Sequence, residues 1–300
     1  MDFYLTLPSN TTDEYDNKIN KFRVRLPNTI DLVGQWEVAL VEIIYPHCWP
    51  NVQGLPLMEV PQSYDDMKNM PSQAEVNKAE NIIWFNYIPF ERMDTLVVPP
   101  GYYATPHELI KSIEKGLKRQ MHRIKAHIKL IKKDGQIDTS DLPKLSDAIK
   151  FSYDSVLKRV KLKLDTSVVD TLVLGRHLQY MLGLEDGDGQ LKTFSKPSYV
   201  AKYPCDLCGG FYALHIFCDL VERQILGDSR VQLLRIVPVE GGYGDIISKT
   251  FFSPHYVQLL KKQFNTVEIC IKDDRNRFVP FDFGKCILKL HFRKKRPIPL

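Results

Sequence analysis

The feature that most constrains the fold is a series of short apolar segments separated by turn-forming residues. It is most regular in the last hundred residues, where apolar segments at 211–221, 231–237, 267–271 and 286–292 are separated by clusters of Gly, Pro, Asp and Asn. No repeating alternation of strands with helices accompanies them. The pattern therefore favours an antiparallel β-sandwich or barrel over a doubly wound parallel sheet.

The first third of the chain continues this pattern. Residues 22–26 alternate apolar and basic side chains, which is typical of a strand with one buried face. A single eight-stranded jelly roll needs fewer than the 300 residues present, so we expect an insertion. We predict an all-β-dominated fold, an antiparallel jelly-roll sandwich made of residues 1–60 and 196–300. Residues 61–195 form an inserted, partly helical second region.

The clearest helix of the chain lies in that insertion. Thr105, Pro106 and Glu108 supply a hydroxyl N-cap, a proline at the first helical position and a carboxylate at the third, which together resemble a capping box. Apolar residues then recur at spacings of three and four, at Ile110, Ile113, Leu117, Met121, Ile124, Ile128 and Ile131. This spacing predicts an amphipathic helix over about 106–133, locally weakened by Gly116.

The distribution of charge is more informative than the net charge of +5, which is too small to predict nucleic-acid binding. Two basic clusters are candidate contacts for DNA or a partner protein. The helix supplies Lys118, Arg119, Arg123, Lys125, Lys129, Lys132 and Lys133, and the C-terminus supplies Arg293, Lys294, Lys295 and Arg296. The alternatives are a solvated helix face for the first cluster, and a nuclear import signal or a blunted sheet edge for the second.

Motifs for catalysis and cofactor binding are missing from the sequence, which lacks a P-loop, a Rossmann glycine pattern, a nucleophile elbow and a zincin helix. Cys205 and Cys208, followed by His215 and Cys218, have donors suited to zinc. A strand at 211–221 would place His215 and Cys218 on opposite faces, so we predict no metal, no cofactor and no catalytic site. The expectation is a protein that is not an enzyme.

The N-terminus has neither a basic region nor an apolar run of signal-peptide length, and no stretch approaches the roughly 18 apolar residues of a membrane span. We therefore expect synthesis inside the cell and no membrane partner. The six cysteines follow no framework spacing, and structural disulfides are not expected in a reducing compartment.

Two sets of segments resemble a known family when taken in order. The N-terminal set is 3–10, 22–26, 34–43 and 45–47, and the C-terminal set is 217–221, 224–228, 233–238, 264–269, 279–285 and 290–293. In this order they resemble the minor capsid (penton) proteins of Polinton/Maverick elements and the related adintoviruses. The matching segments are strand and turn signatures rather than catalytic motifs.

This resemblance implies a single jelly roll that forms homopentamers at the vertices of an icosahedral capsid. It also implies contacts with a double jelly-roll major capsid protein, packaged double-stranded DNA, assembly in the host nucleus and a final location in the virion. A jelly-roll binding module, lectin-like or receptor-binding, is the main alternative. A cupin-like enzyme is third, because it would need His and carboxylate ligands on neighbouring strands that the sequence does not supply.

Overall fold

The computed structural model describes residues 2–11, 16–54, 70–90, 92–131, 139–185, 192–208 and 210–295. The chain divides into two compact units, the first made of residues 1–49 and 211–300 and the second of residues 50–210. The predicted boundaries, at 60/61 and 195/196, both fall inside the second unit. Residues 198–200, which lie after the later predicted boundary, form a strand that pairs with residues 161–163.

The described residues form eighteen strands and four α-helices. The strands are β1 Asp2–Pro8, β2 Lys21–Asp31, β3 Trp36–Pro46, β4 Ile82–Tyr87, β5 Arg92–Val97, β6 Ile149–Asp154, β7 Arg159–Leu164, β8 Val169–Leu174, β9 Thr193–Phe194, β10 Ser198–Val200, β11 Ala213–Cys218, β12 Gln224–Leu226, β13 Ser229–Val231, β14 Leu233–Pro238, β15 Ile246–Thr250, β16 Val257–Gln258, β17 Gln263–Lys272 and β18 Ile287–Lys294. The helices are α1 Gln73–Lys78, α2 Pro106–Ile131, α3 Leu145–Ala148 and α4 Arg176–Met181.

Besides the short two-stranded sheet β12-β13, the first unit contains two antiparallel sheets. One has the order β1-β18-β3-β15, with β16 also paired to β3, and the other has the order β14-β11-β17-β2. With β16 counted as the continuation of β15, the eight main strands pair first with eighth, second with seventh, third with sixth and fourth with fifth. A long antiparallel hairpin that folds over on itself produces these pairs, and they define a jelly roll. The predicted fold class is confirmed.

Alternating side chains explain why the two sheets pack face to face. Along β18, Leu288, Leu290 and Phe292 are fully buried, whereas Lys289 and His291 between them are only partly buried. The same alternation in β2 and β17 completes one continuous apolar core. Burial of each large apolar side chain contributes about 1.5–3 kcal/mol, so this core is the main source of stability in the first unit.

The second unit is built from two smaller sheets and the long helix. The sheets have the orders β5-β4-β8-β9 and β10-β7-β6, and α2 packs against β5, β6 and α3. All of the apolar residues predicted for the buried face of α2 from Ile110 to Ile128 are buried. No helix in the described ranges is long and apolar enough to cross a membrane.

Helix α2 begins at the predicted residue. The Thr105 hydroxyl accepts a hydrogen bond from the Glu108 N–H at 3.2 Å, as an N-cap does. The Glu108 carboxylate accepts from the Ala104 N–H at 2.9 Å, one residue before the cap, so the reciprocal half of the capping box is displaced. The helix continues to Ile131, and the predicted end near 133 lies outside the described residues.

Gly116 has a packing role in addition to its expected weakening of the helix. A Cβ atom at this position would lie 2.5 Å from Cδ1 of Leu96, which is buried on β5. The missing side chain therefore lets α2 approach the strand closely. A glycine within a helix is explained here by the surface that the helix contacts.

Candidate contact surfaces

The exposed face of α2 carries the first predicted basic cluster. Lys118, Arg119 and Arg123 are exposed and Lys125 is half-buried. The side chain of Lys129 and the residues Lys132 and Lys133 lie outside the described part of the chain. No large apolar side chain is exposed on the helix between residues 106 and 128. The described part of this face is therefore polar and positively charged.

The basic residues of α2 border two different clefts. Arg119 and Arg123 line a cleft of about 320 Å³ beside β5, together with Thr95 and Gln120. Beneath it, the Gln120 amide donates to the buried carboxylate of Asp94 at 2.8 Å. Lys118 lines a second cleft on the other flank of the helix, of about 380 Å³, where β6 and β7 contribute further side chains.

The second predicted basic cluster lies at the end of β18. Arg293 forms an ion pair with Glu37 on β3, and its guanidinium lies 3.3 Å from the ring centre of Tyr256. Lys294 is exposed, the Lys295 N–H donates to the Gln35 carbonyl at 2.9 Å, and Arg296 lies outside the described residues. Because β18 lies between β1 and β3, the interpretation of this cluster as a blunted sheet edge is wrong.

A polar network beside Arg293 was not predicted from the sequence. The Tyr256 hydroxyl lies 2.7 Å from Nδ1 of His291, and Nε2 of His291 lies 3.2 Å from the Asp2 carboxylate. The Tyr4 ring stacks on the imidazole with centroids 4.4 Å apart. These residues come from β1, β18 and the segment before β16, so no local spacing could have indicated the network.

The four residues considered for zinc are divided between the two units. Cys205 and Cys208 belong to the second unit, whereas His215 and Cys218 belong to β11 in the first. Along β11, His215 is partly buried and Cys218 is fully buried, in agreement with opposite faces. Among the described residues, no three His, Cys, Asp or Glu side chains are grouped to hold a metal. Burial raises the pKa of the Cys218 thiol to about 12.

Exposed apolar side chains mark one edge of the jelly roll. Strand β15 is the last strand of its sheet, and Ile246 on it is 77% exposed. Phe252, in the loop between β15 and β16, is 95% exposed. We call these two residues the β15 edge. The periodic pattern could not separate them from core residues, because both lie in segments rich in apolar side chains.

Two segments rich in aromatic side chains, one around Trp49 and one at 194–203, have different surroundings. Trp49 is buried in the first unit, where its ring stacks on His47 with centroids 4.3 Å apart and packs edge-on against Phe281. In the second unit the ring of Tyr199 packs edge-on against buried Phe194, whereas Tyr203 is exposed. Of these aromatic rings, only Tyr203 is available at the surface of its unit.

Comparisons with known proteins give similarity at the level of structure. No protein-family model matches the sequence, and no curated protein matches it. Among solved structures, the chain is similar to the mavirus penton protein, with 11% identity, a TM-score of 0.46 and coverage of 97% of this chain and 99% of that one. A chain in the structure of the Sputnik virophage gives 11% identity, a TM-score of 0.46 and coverage of 98% of both chains. The jelly-roll assignment rests on strand order and does not depend on these matches.

Proposed function

We propose that this chain is a structural minor capsid protein of the penton class, with no catalytic role. The observation that carries the proposal is the strand order of the first unit, which is that of a jelly roll, a fold used by viral capsid proteins. The ordered segments that resemble Polinton/Maverick and adintovirus penton proteins supply the second support. They include β1, β2, β3, β17 and β18, so the resemblance and the fold concern the same strands.

The proposed assembly is a homopentamer at the vertices of an icosahedral capsid. A closed ring needs a heterologous contact, in which one surface of a subunit meets a different surface of the next. We assign the β15 edge to this contact, because an exposed edge strand with apolar side chains invites pairing with another chain unless it is covered. Assembly would cover Ile246 and Phe252 in every subunit of the ring.

The remaining partners follow from the resemblance. They are a double jelly-roll major capsid protein around the pentamer and packaged double-stranded DNA, with assembly in the host nucleus and a final location in the virion. The basic face of α2 and the exposed lysines Lys294 and Lys295 are the surfaces we propose for DNA or a neighbouring subunit. Arg293 is less suited to that role, because Glu37 and Tyr256 already engage its guanidinium.

Substitution of Phe252 by aspartate tests the ring contact. We expect Phe252→Asp to shift the purified full chain from pentamer to monomer over micromolar concentrations, because assembly would bury an unpaired carboxylate. Sedimentation velocity measures the change directly. Circular dichroism should be unaltered, since the side chain is 95% exposed in the single chain.

The matched control is Val156→Asp, in the turn between β6 and β7 of the second unit, where the side chain is also highly exposed. This variant should assemble like the unsubstituted chain. Equal loss of assembly in both variants would indicate a general effect of charge and contradict the assignment of the β15 edge. A monomeric unsubstituted chain that binds a glycan array would favour the lectin-like alternative.

A further inference from the structure

Three lysines meet in the cleft between α2 and the sheet β10-β7-β6. Lys118 comes from α2, Lys150 from β6 and Lys163 from β7, and Ser146 and Ser152 lie beside them. We call Lys118, Lys150 and Lys163 the lysine cleft. The sequence singled out only Lys118, because Lys150 and Lys163 alternate with apolar residues in segments that predict strands.

The arrangement of these lysines is unfavourable within the isolated chain. Lys150 and Lys163 are directly opposite each other in the antiparallel pair β6–β7. Side chains in such positions start about 5 Å apart, so two like charges repel. Asp147 lies 3.7 Å from Lys150 and Glu114 lines the same cleft, but Lys163 has no acidic partner within ion-pair distance among the described residues.

A neighbouring lysine on the same strand shows the contrast. Lys161 lies two residues from Lys163, and it donates to the Asp154 carboxylate at 2.8 Å. This hydrogen bond is the main reason that the pKa of Asp154 is lowered to about 2. The charge of Lys161 is thus neutralised within the chain, whereas no acidic side chain among the described residues pairs with Lys163. An unpaired lysine of this kind is expected where an external anion binds.

We infer that the lysine cleft and the exposed basic face of α2 together bind the phosphate backbone of double-stranded DNA. Lysine, arginine and serine are common donors to phosphate oxygens in protein–DNA contacts. A protein interface would instead need an apolar and aromatic centre, and α2 exposes no large apolar side chain between residues 106 and 128. The 26 residues of α2 span about 39 Å, slightly more than one turn of B-DNA.

This inference builds on the DNA contact in the proposed function, but its test does not require assembly. Binding of the full chain to a duplex of about 30 base pairs and arbitrary sequence is measured by fluorescence anisotropy between about 50 and 200 mM salt. Over this roughly fourfold range of salt concentration, counterion release changes the affinity enough to give the slope of log K against log salt. We expect Lys118→Gln, Lys150→Gln and Lys163→Gln to weaken binding by about eightfold each at 0.1 M salt. The triple variant should lower the slope of log K against log salt by about three.

The control replaces three other exposed lysines, Lys78, Lys262 and Lys285, by glutamine, with the same change in net charge. It should retain most of the affinity and slope. The inference is overturned if both triple variants lose affinity equally, or if the unsubstituted chain binds no duplex at about 50 mM salt, the concentration in this range that favours such contacts most. Binding of polyglutamate in preference to duplex would also overturn it, in favour of an acidic protein partner. DNA binding by a chain that stays monomeric would support this inference and contradict the proposed pentamer.

Discussion

Two glycines share a left-handed backbone conformation but differ in their surroundings. Gly183 has a φ of +68° and Gly227 a φ of +61°, which L side chains rarely adopt. A Cβ on Gly183 would lie 2.1 Å from the Tyr203 carbonyl oxygen, whereas a Cβ on Gly227 would have no atom within 4 Å. The two positions therefore separate the cost of backbone conformation from the cost of a collision.

Alanine substitutions at these glycines should differ in stability. Gly227→Ala should cost about 1 kcal/mol of unfolding free energy, because only the backbone conformation is strained. Gly183→Ala should cost about 3 kcal/mol or more, since a backbone carbonyl must also move. Urea unfolding followed by circular dichroism measures both. Equal effects would mean that the turn after α4 relaxes freely and that the contact with Tyr203 is not a constraint.

Residue patterns predict where individual helices and strands lie better than they predict what those elements contact. The N-cap at Thr105 and the buried face of α2 could be predicted because both depend on neighbours within a few residues. The apolar residues at 172–182 do not by themselves distinguish a helix from a strand: residues 172–174 belong to β8, and α4 begins at Arg176. Apolar residues at 172–174 fit either structure, and their pairing with β4 decides between them.

Excision of the second unit tests whether the jelly roll is an independent element. The chain leaves the first unit after Trp49 and returns at Phe211, and these two rings lie only 5.1 Å apart. A short Gly/Ser linker can span such a gap. We expect residues 1–49 and 211–300, joined in this way, to unfold cooperatively in urea, because their apolar core is complete without the insertion.

A core substitution provides the control for the excised protein. Phe292→Ala removes a fully buried ring and should cost about 3–5 kcal/mol, enough to lower the midpoint markedly or abolish the transition. A gradual, non-cooperative transition in the unsubstituted excised protein, with strong binding of a hydrophobic dye, would show that the jelly roll needs residues 50–210 to fold.

At the scale of the whole molecule, sequence patterns predicted the kind of fold and missed the surfaces. Strand pairs such as β3 with β18 join residues that are distant in the chain. The alternation of apolar and polar side chains that indicates each strand, however, involves only neighbouring residues. The β15 edge and the lysine cleft depend on which strand ends a sheet and which residues lie opposite each other. Local patterns contain neither kind of information, because it arises only when the strands pair.

The mass of the purified full chain in solution is the most direct test of the proposed role. Multi-angle light scattering over a range of concentration and salt, with negative-stain imaging of any large species, should give a discrete ring of five times the 34.7 kDa chain mass. The ring should form alone or on addition of the double jelly-roll major capsid protein. A chain that stays monomeric under all of these conditions, and does not join the major capsid protein, would contradict the penton role.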